Sequence, residues 1–126
     1  MSLKELTTLF QVLSDATRLR IVNLLRTQDL CVGDLQVVLG LSQPAVSRQL
    51  AILRAANLVR CERMGTKTCY SLSLAPFLNY PLGMFLSEIG PFLPELAADT
   101  EKLADSKGDS SSCSQNDEAR AGSSQV

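Results

Sequence analysis

Residues 41–60, LSQPAVSRQLAILRAANLVR, place side chains that can read nucleic-acid bases on one side of a helix and apolar side chains on the other. Ser42 is an N-cap, Pro44 falls in the first turn where a missing N–H costs least, and Asn57 ends the helix before Leu58 and Val59 turn to extended structure. At 3.6 residues per turn Val46, Leu50 and Leu53 share a buried face, while Ser47 and Arg48 project oppositely beside the small Pro44, Ala51 and Ala55. Small residues on that face let a helix backbone approach base edges in a major groove. Arg48 and Gln43 are the side-chain types that make paired hydrogen bonds to guanine and adenine. The competing reading is an ordinary amphipathic core helix.

A second set of reactive groups is the four cysteines, Cys31, Cys61, Cys69 and Cys113. As reduced thiols they suit soft-metal or redox chemistry, or simple packing. The chain has no histidine. Its absence excludes Ser/His and Cys/His nucleophilic pairs and any imidazole-bearing zinc site. Paired carboxylates at helical or loop spacing and a phosphate-cradling Gly-rich loop are also missing, so an enzyme is not expected.

The elements that position these groups follow from periodicity. Leu3, Leu6, Phe10 and Leu13 mark a first helix that breaks at Ser14, read as the cap between it and the next. A second helix is marked by Leu19, Val22 and Leu25 with Ile21 and Leu24 beside them. Asp15 at its start and Arg26 at its end match the helix dipole. A third, about Val32 to Leu39, buries Leu35, Val38 and Leu39 and stops at Gly40. The turn Gly40-Leu41-Ser42 then feeds the helix described first, which makes a helix-turn-helix. Residues 58–63, a tip at Met64-Gly65-Thr66, and residues 67–74 form a hairpin, with Tyr70, Leu72 and Leu74 alternating with polar residues. The predicted fold is mainly α with a small β-hairpin: a winged helix-turn-helix. Arg60, Arg63 and Lys67 put charge along the wing, where a strand pair can reach phosphates or the minor groove.

From Pro76 to Leu103 helical spacing returns in Leu78, Leu82, Phe85, Leu86, Ile89, Phe92, Leu93 and Leu96, interrupted by Pro81, Gly90, Pro91 and Pro94. Two short helices meeting near Gly90 are expected. So many large apolar side chains exceed what a small core can hold, which points to a homodimer through the first and last helices; the alternative is that they roof their own domain. Residues 1–104 are read as one DNA-binding and dimerisation domain, and residues 105–126, rich in Ser, Gly and acids, as a disordered tail.

The chain has 126 residues and a formal net charge of -1. That charge conceals an asymmetry. Residues 1–74 hold 9 Lys and Arg against 5 Asp and Glu, and residues 75–126 hold 3 against 8, giving +4 and −5. A basic front half suits a phosphate backbone, because Lys and Arg release condensed counterions from DNA. Neither a membrane span nor a signal-peptide core is legible, so a cytoplasmic protein is expected.

Three blocks, LFQVLSDATRLRIVNLL, DLCVGDLQVVLGLSQPAVSRQLAILRAANLVR and RMGTKTCYSL, occur in the order in which they stand in the ArsR/SmtB family of dimeric winged-helix repressors, which the chain resembles from about Leu6 to Leu74. The resemblance implies sequence-specific binding of a double-stranded DNA operator as a homodimer, with Ser42 to Arg54 as the groove helix and Arg60 to Tyr70 as the wing. It also implies release from DNA when a metal, metalloid or thiol-reactive signal binds. DLCVGDL is similar to the family's ELCVCDL metalloid motif, whose two cysteines grip arsenite, antimonite, lead or cadmium with another thiolate. Here Cys31 is kept and Gly33 stands at the second position. One thiolate from this helix cannot satisfy As(III) or Sb(III), which seek three sulfur ligands.

Three readings of the cysteines stay open. Cys31 recruits other thiols: Cys113 on the tail, with Cys61 and Cys69 facing each other if the wing has a three-residue tip that pairs Arg63 with Lys67. A two-residue tip shifts the register by one and sends Cys61 and Cys69 to opposite faces. Alternatively the chain is a thiol redox or sulfide sensor, which in relatives pairs a third-helix cysteine with one on the last helix; no cysteine lies between Cys69 and Cys113, so here the tail must supply the partner. In the third reading Cys31 is a small buried residue, Cys61 and Cys69 fill the strands, and the inducer lies elsewhere or does not exist, which leaves a ligand-independent repressor. From another class, the acidic rear half suits a DNA-recruiting adaptor or antitoxin-like module.

Overall fold

A computed structural model describes residues 2–73 and 76–107, with only the backbone of 76–80 and 106–107. Six helices and three strands follow in the order α1 (Leu3–Leu13), α2 (Ala16–Leu25), β1 (Leu30–Cys31), α3 (Val32–Leu39), α4 (Gln43–Ala55), β2 (Val59–Met64), β3 (Lys67–Leu72), α5 (Pro76–Ile89) and α6 (Pro94–Lys107). A single 3₁₀ turn, Gly90–Phe92, joins the last two. Expected helices, helix-turn-helix and wing are all present. Leu74, Leu78 and the tail with Cys113 lie outside the described residues or side chains.

The helix ends show why the chain turns where it does. Ser2 caps α1: its hydroxyl accepts from the Glu5 N–H, and the Glu5 carboxylate accepts from the Ser2 N–H. Between α1 and α2 the work is divided. Ser14 closes α1, and Asp15 rather than Ser14 caps α2, accepting from the Arg18 N–H at 3.1 Å. Gly40, at φ 68°, takes the left-handed conformation that stops α3. Ser42 caps α4 by accepting from the Ala45 N–H, and Pro44 sits in the first turn. Asn57, at φ 62°, ends α4: its N–H donates to the Arg54 carbonyl and the Leu58 N–H to the Leu53 carbonyl, the paired bonds of a left-handed helix stop.

The core gathers around α2, where Ile21, Val22, Leu24 and Leu25 are buried together with Asn23. Around it pack Leu35, Val38 and Leu39 of α3, Val46, Leu50 and Leu53 of α4, and Leu86, Leu96 and Leu103 from the C-terminal helices. A long-range ion pair crosses this core. Arg20 of α2 makes a two-pronged pair with Asp99 of α6, Nε to Oδ2 and Nη2 to Oδ1 at 2.8 Å each. Asp99 is 1% exposed, and the Asp99 hydrogen bond holds the Arg20 guanidinium above its ordinary pKa against the opposing effect of burial.

Two differences from expectation concern the sheet. A strand that periodicity missed, β1, pairs with β3, so the hairpin is part of a three-stranded antiparallel sheet in the order β1-β3-β2. Two residues are too few to display any period. The wing tip has two residues, Gly65 and Thr66, because Met64 pairs with Lys67 and Arg63 with Thr68. Positive φ at Gly65 alone is the pattern of the II′ turn, whose twist matches the strands. Pro81 is carried within α5 and does not break it.

Asp99→Ala removes one partner of a mostly buried pair and strands Arg20, whose side chain is 25% exposed and so keeps some solvation. A loss of about 2–3 kcal/mol in urea unfolding is expected, with an unchanged m-value.

Candidate nucleic-acid interface and thiol cluster

The solvent face of α4 is made by the fold of its other face. Val46, Leu50 and Leu53 are each 0% exposed, which fixes the rotation of the helix about its axis. Pro44, Arg48, Ala51, Arg54 and Ala55 consequently face outward, with Ser47 half-buried among them. Ser42 and Gln43 are exposed at the N-terminus, and the Gln43 Nε2 donates to the Ser47 Oγ at 2.9 Å, which lays the amide along the helix. No acidic residue stands in the first turn of α4, so its dipole leaves that end favourable to an anion.

Arg60, Arg63 and Lys67 are exposed on the wing, although not on one face. Cross-strand pairing puts Arg63 on the side of Thr68, and Arg60 and Lys67 on the side of Ser71 and Met64. The wing tip thus presents positive charge from both faces. All ten residues read from the sequence as DNA-facing belong to two neighbouring elements, α4 and the hairpin that follows it, which pack against each other.

Sequence reasoning missed the residues that brace this surface. Arg18 of α2 donates through Nε to the Val12 carbonyl of α1 at 2.7 Å and through Nη1 to the Gln49 Oε1 of α4 at 3.0 Å. A helix buried nearly all round leaves little solvent for a charged side chain, and that is the one signal by which Arg18 and Arg20 could have been singled out as needing partners.

The thiols are arranged differently from expectation. With the two-residue tip, Glu62 and not Cys61 stands opposite Cys69, and Cys61 stands opposite Tyr70. Cys61 and Cys69 therefore lie on opposite faces and do not face each other. The partner of Cys69 is Cys31, in register across β1 and β3 and joined to it as a disulfide, with Cα atoms 4.0 Å apart. Both are buried, with Met64 packed against them. Among the described residues no group of three or more His, Cys, Asp or Glu converges as a metal site. Cys61 is a free thiol. Burial, and then the hydrogen bond with Cys61, push the Tyr70 phenol above its ordinary value of 10.0.

A helix-turn-helix with an exposed, small-residue recognition face and a basic hairpin behind it defines a winged-helix DNA-binding protein. The comparisons place it more narrowly. The family profile described as "Bacterial regulatory protein, arsR family" matches residues 15–60. The arsenical resistance operon repressor of Staphylococcus xylosus is 41% identical over 80 residues, covering 64% of this chain and 76% of that protein. The transcriptional repressor SmtB homolog of Synechocystis sp. is 45% identical over 64 residues, 51% of this chain and 48% of that protein, so the match spans about half of this relative. Among solved structures, the AntR antimony-specific transcriptional repressor superposes with a TM-score of 0.58 at 36% identity, covering 68% of this chain and 78% of that one. The chain belongs to the arsR family of DNA-binding transcriptional regulators. No helix among the described residues is long and apolar enough to cross a membrane.

Because the neutral Tyr70 phenol is the form favoured by folding, its contribution is complete below pH 10.0 and is lost as pH rises through the higher folded value. Urea midpoints taken across that range should fall with pH in the wild type, and Tyr70→Phe should flatten that slope.

Proposed function

We propose that the chain is an operator-binding transcriptional repressor that acts as a homodimer and leaves DNA when a thiol-binding signal, such as arsenite or antimonite, reaches Cys31. The observation that carries the DNA-binding part is the α4 surface, where Arg48 and Gln43 stand among Pro44, Ser47 and Ala51 with Val46, Leu50 and Leu53 turned inward. Base edges are then read by Arg48 and Gln43. Ser42, Arg54, Arg60, Arg63 and Lys67 hold the phosphates on either side.

Exposed apolar side chains support dimerisation. Leu3 and Phe10, seven residues apart on α1, are 77% and 61% exposed, and Phe85 of α5 and Phe92 after it are also exposed. α6 turns Leu96, Asp99 and Leu103 inward, and its described outward residues are polar or small. A second copy covering α1 and the α5–α6 end removes these aromatics from water and sets two α4 helices at a fixed separation. Two half-sites about one helical turn apart must both fit, so a signal that favours another dimer geometry shifts the population off DNA.

For the signal, the ligand chemistry is soft sulfur. Cys31 and Cys69, when reduced, supply two thiolates from adjacent strands, and Cys113 of the tail supplies the third that As(III) or Sb(III) seeks. This replaces the missing second cysteine at Gly33. The relatives named for arsenical resistance and for antimony support this class of inducer.

Fluorescence anisotropy with DNA from the region upstream of the gene tests the two parts separately. Arg48→Ala should cost about 1–3 kcal/mol at one base position, whereas Lys67→Ala should weaken all sequences evenly and lower the salt slope by about 1. Full affinity in both variants would refute the assignment of groove helix and wing. Stoichiometric arsenite or antimonite should release the reduced protein, and Cys31→Ser should abolish that release. Tight binding indifferent to both ions would remove the metalloid from the reading and leave the repressor.

A further inference from the structure

We propose that Cys31 and Cys69 are a reversible dithiol–disulfide pair whose closure locks the two DNA-contacting elements into one covalent loop and tightens DNA binding. The pair is placed by three-stranded pairing: Leu30↔Tyr70 and Cys31↔Cys69 are the register of β1 on β3. Directly opposed residues on antiparallel strands bring their side chains together on one face, and here the two sulfurs are bonded. The bond closes a sequence separation of 38 residues. Every residue assigned to DNA contact, from Ser42 to Lys67, lies inside that loop, together with all of α3.

The position of each cysteine gives the closure a mechanical consequence. Cys31 is the N-cap of α3, the first helix of the helix-turn-helix, and its N–H donates to the Asp34 carboxylate at 3.1 Å. Cys69 is in the middle strand of the sheet, paired on its other side with Glu62 of β2. The bond therefore ties the helix that seats α4 to the strand that carries the wing. β1 itself has two residues, and without the bond its hold on β3 rests on a very short ladder. With the bond, the distance between groove helix and wing is covalently restricted, and less freedom is lost when both engage DNA.

The chemistry balances with a hydroperoxide as oxidant. Cys31 is 6% exposed and Cys69 1%, so Cys31 is the thiol that an oxidant meets first. The Cys31 thiolate attacks the peroxide oxygen, breaking the O–O bond to give a sulfenic acid, while the leaving oxygen takes a proton as water or alcohol. Cys69 sulfur then displaces the hydroxyl of that sulfenic acid, which departs with the Cys69 proton as water. Two thiols have lost two electrons and two protons, and the hydroperoxide has gained them. A low-molecular-weight thiol reverses the reaction by exchange. In a reducing compartment such a bond is transient, which is the behaviour of a sensor and not of a permanent staple.

The affinity readout rests on the DNA-binding reading above, and the bond itself does not. The full-length Cys61→Ser/Cys113→Ser double variant leaves only this pair. Treated with hydrogen peroxide, it should lose two hydrogens by intact mass, and a peptide map should join Cys31 to Cys69. Its melting temperature should rise by roughly 10 °C. Operator affinity should increase roughly three-fold or more over the dithiol form. Dithiothreitol should undo all of these changes, and Cys69→Ser in the same background should show none. A pair that remains two titratable thiols under peroxide, a wild-type map joining Cys31 to Cys61 or Cys113, or an oxidised form with unchanged affinity would overturn the proposal. Absence of DNA binding in both redox states would instead overturn the repressor reading, while the map and the melting shift would still decide the bond.

Discussion

The structure depends on the complete burial of one face of α4. Val46, Leu50 and Leu53 have no solvent exposure, so the helix cannot rotate without opening the core. Each such side chain contributes on the order of 2 kcal/mol by leaving water, and a rotation would forfeit all three together. That constraint is what leaves Pro44, Ser47, Arg48 and Ala51 outward as a shallow stripe over which a groove can close. The Arg18–Gln49 hydrogen bond then holds the exposed half of the same helix to α2, and Arg18 also reaches back to the end of α1.

α2 is the element to which both α4 and α6 are tied. Its residues Ile21 to Leu25 are buried together, Arg18 braces α4, and Arg20 holds Asp99 of α6. Leu3 and Phe10 of α1 and Phe85 and Phe92 near the α5–α6 junction are exposed. Packed side chains and two charged hydrogen-bond links, Arg18 to Gln49 and Arg20 to Asp99, therefore join α4 to α6 by way of α2.

The thiols show how a local sequence motif is rewritten by a sheet. Along the chain Cys31 and Gly33 read as a metalloid motif missing one ligand, and Cys61 and Cys69 read as neighbours across a hairpin. In space Gly33 is exposed, Cys61 packs beside Tyr70, and Cys31 meets Cys69. The wing is therefore attached to the start of α3 through β1.

Much of this was written in the sequence, because local signals set it. The 3.6-residue period of Val46, Leu50 and Leu53, the caps at Ser42 and Gly40 and the stop at Asn57 each act within a few residues, and they place the solvent-facing side chains of α4 without reference to the rest of the chain. The hairpin was legible for the same reason, and its register was not: two- and three-residue tips share the same residues, and the II′ geometry at Gly65 decides between them. Non-local partners were decided only by tertiary structure. The pairing of Cys31 with Cys69, of Arg20 with Asp99 and of Arg18 with Gln49 joins residues 38, 79 and 31 positions apart. No periodicity or capping rule reaches across such distances, because those contacts form only when the helices and strands pack and a buried charge or thiol must take whichever neighbour the packing brings.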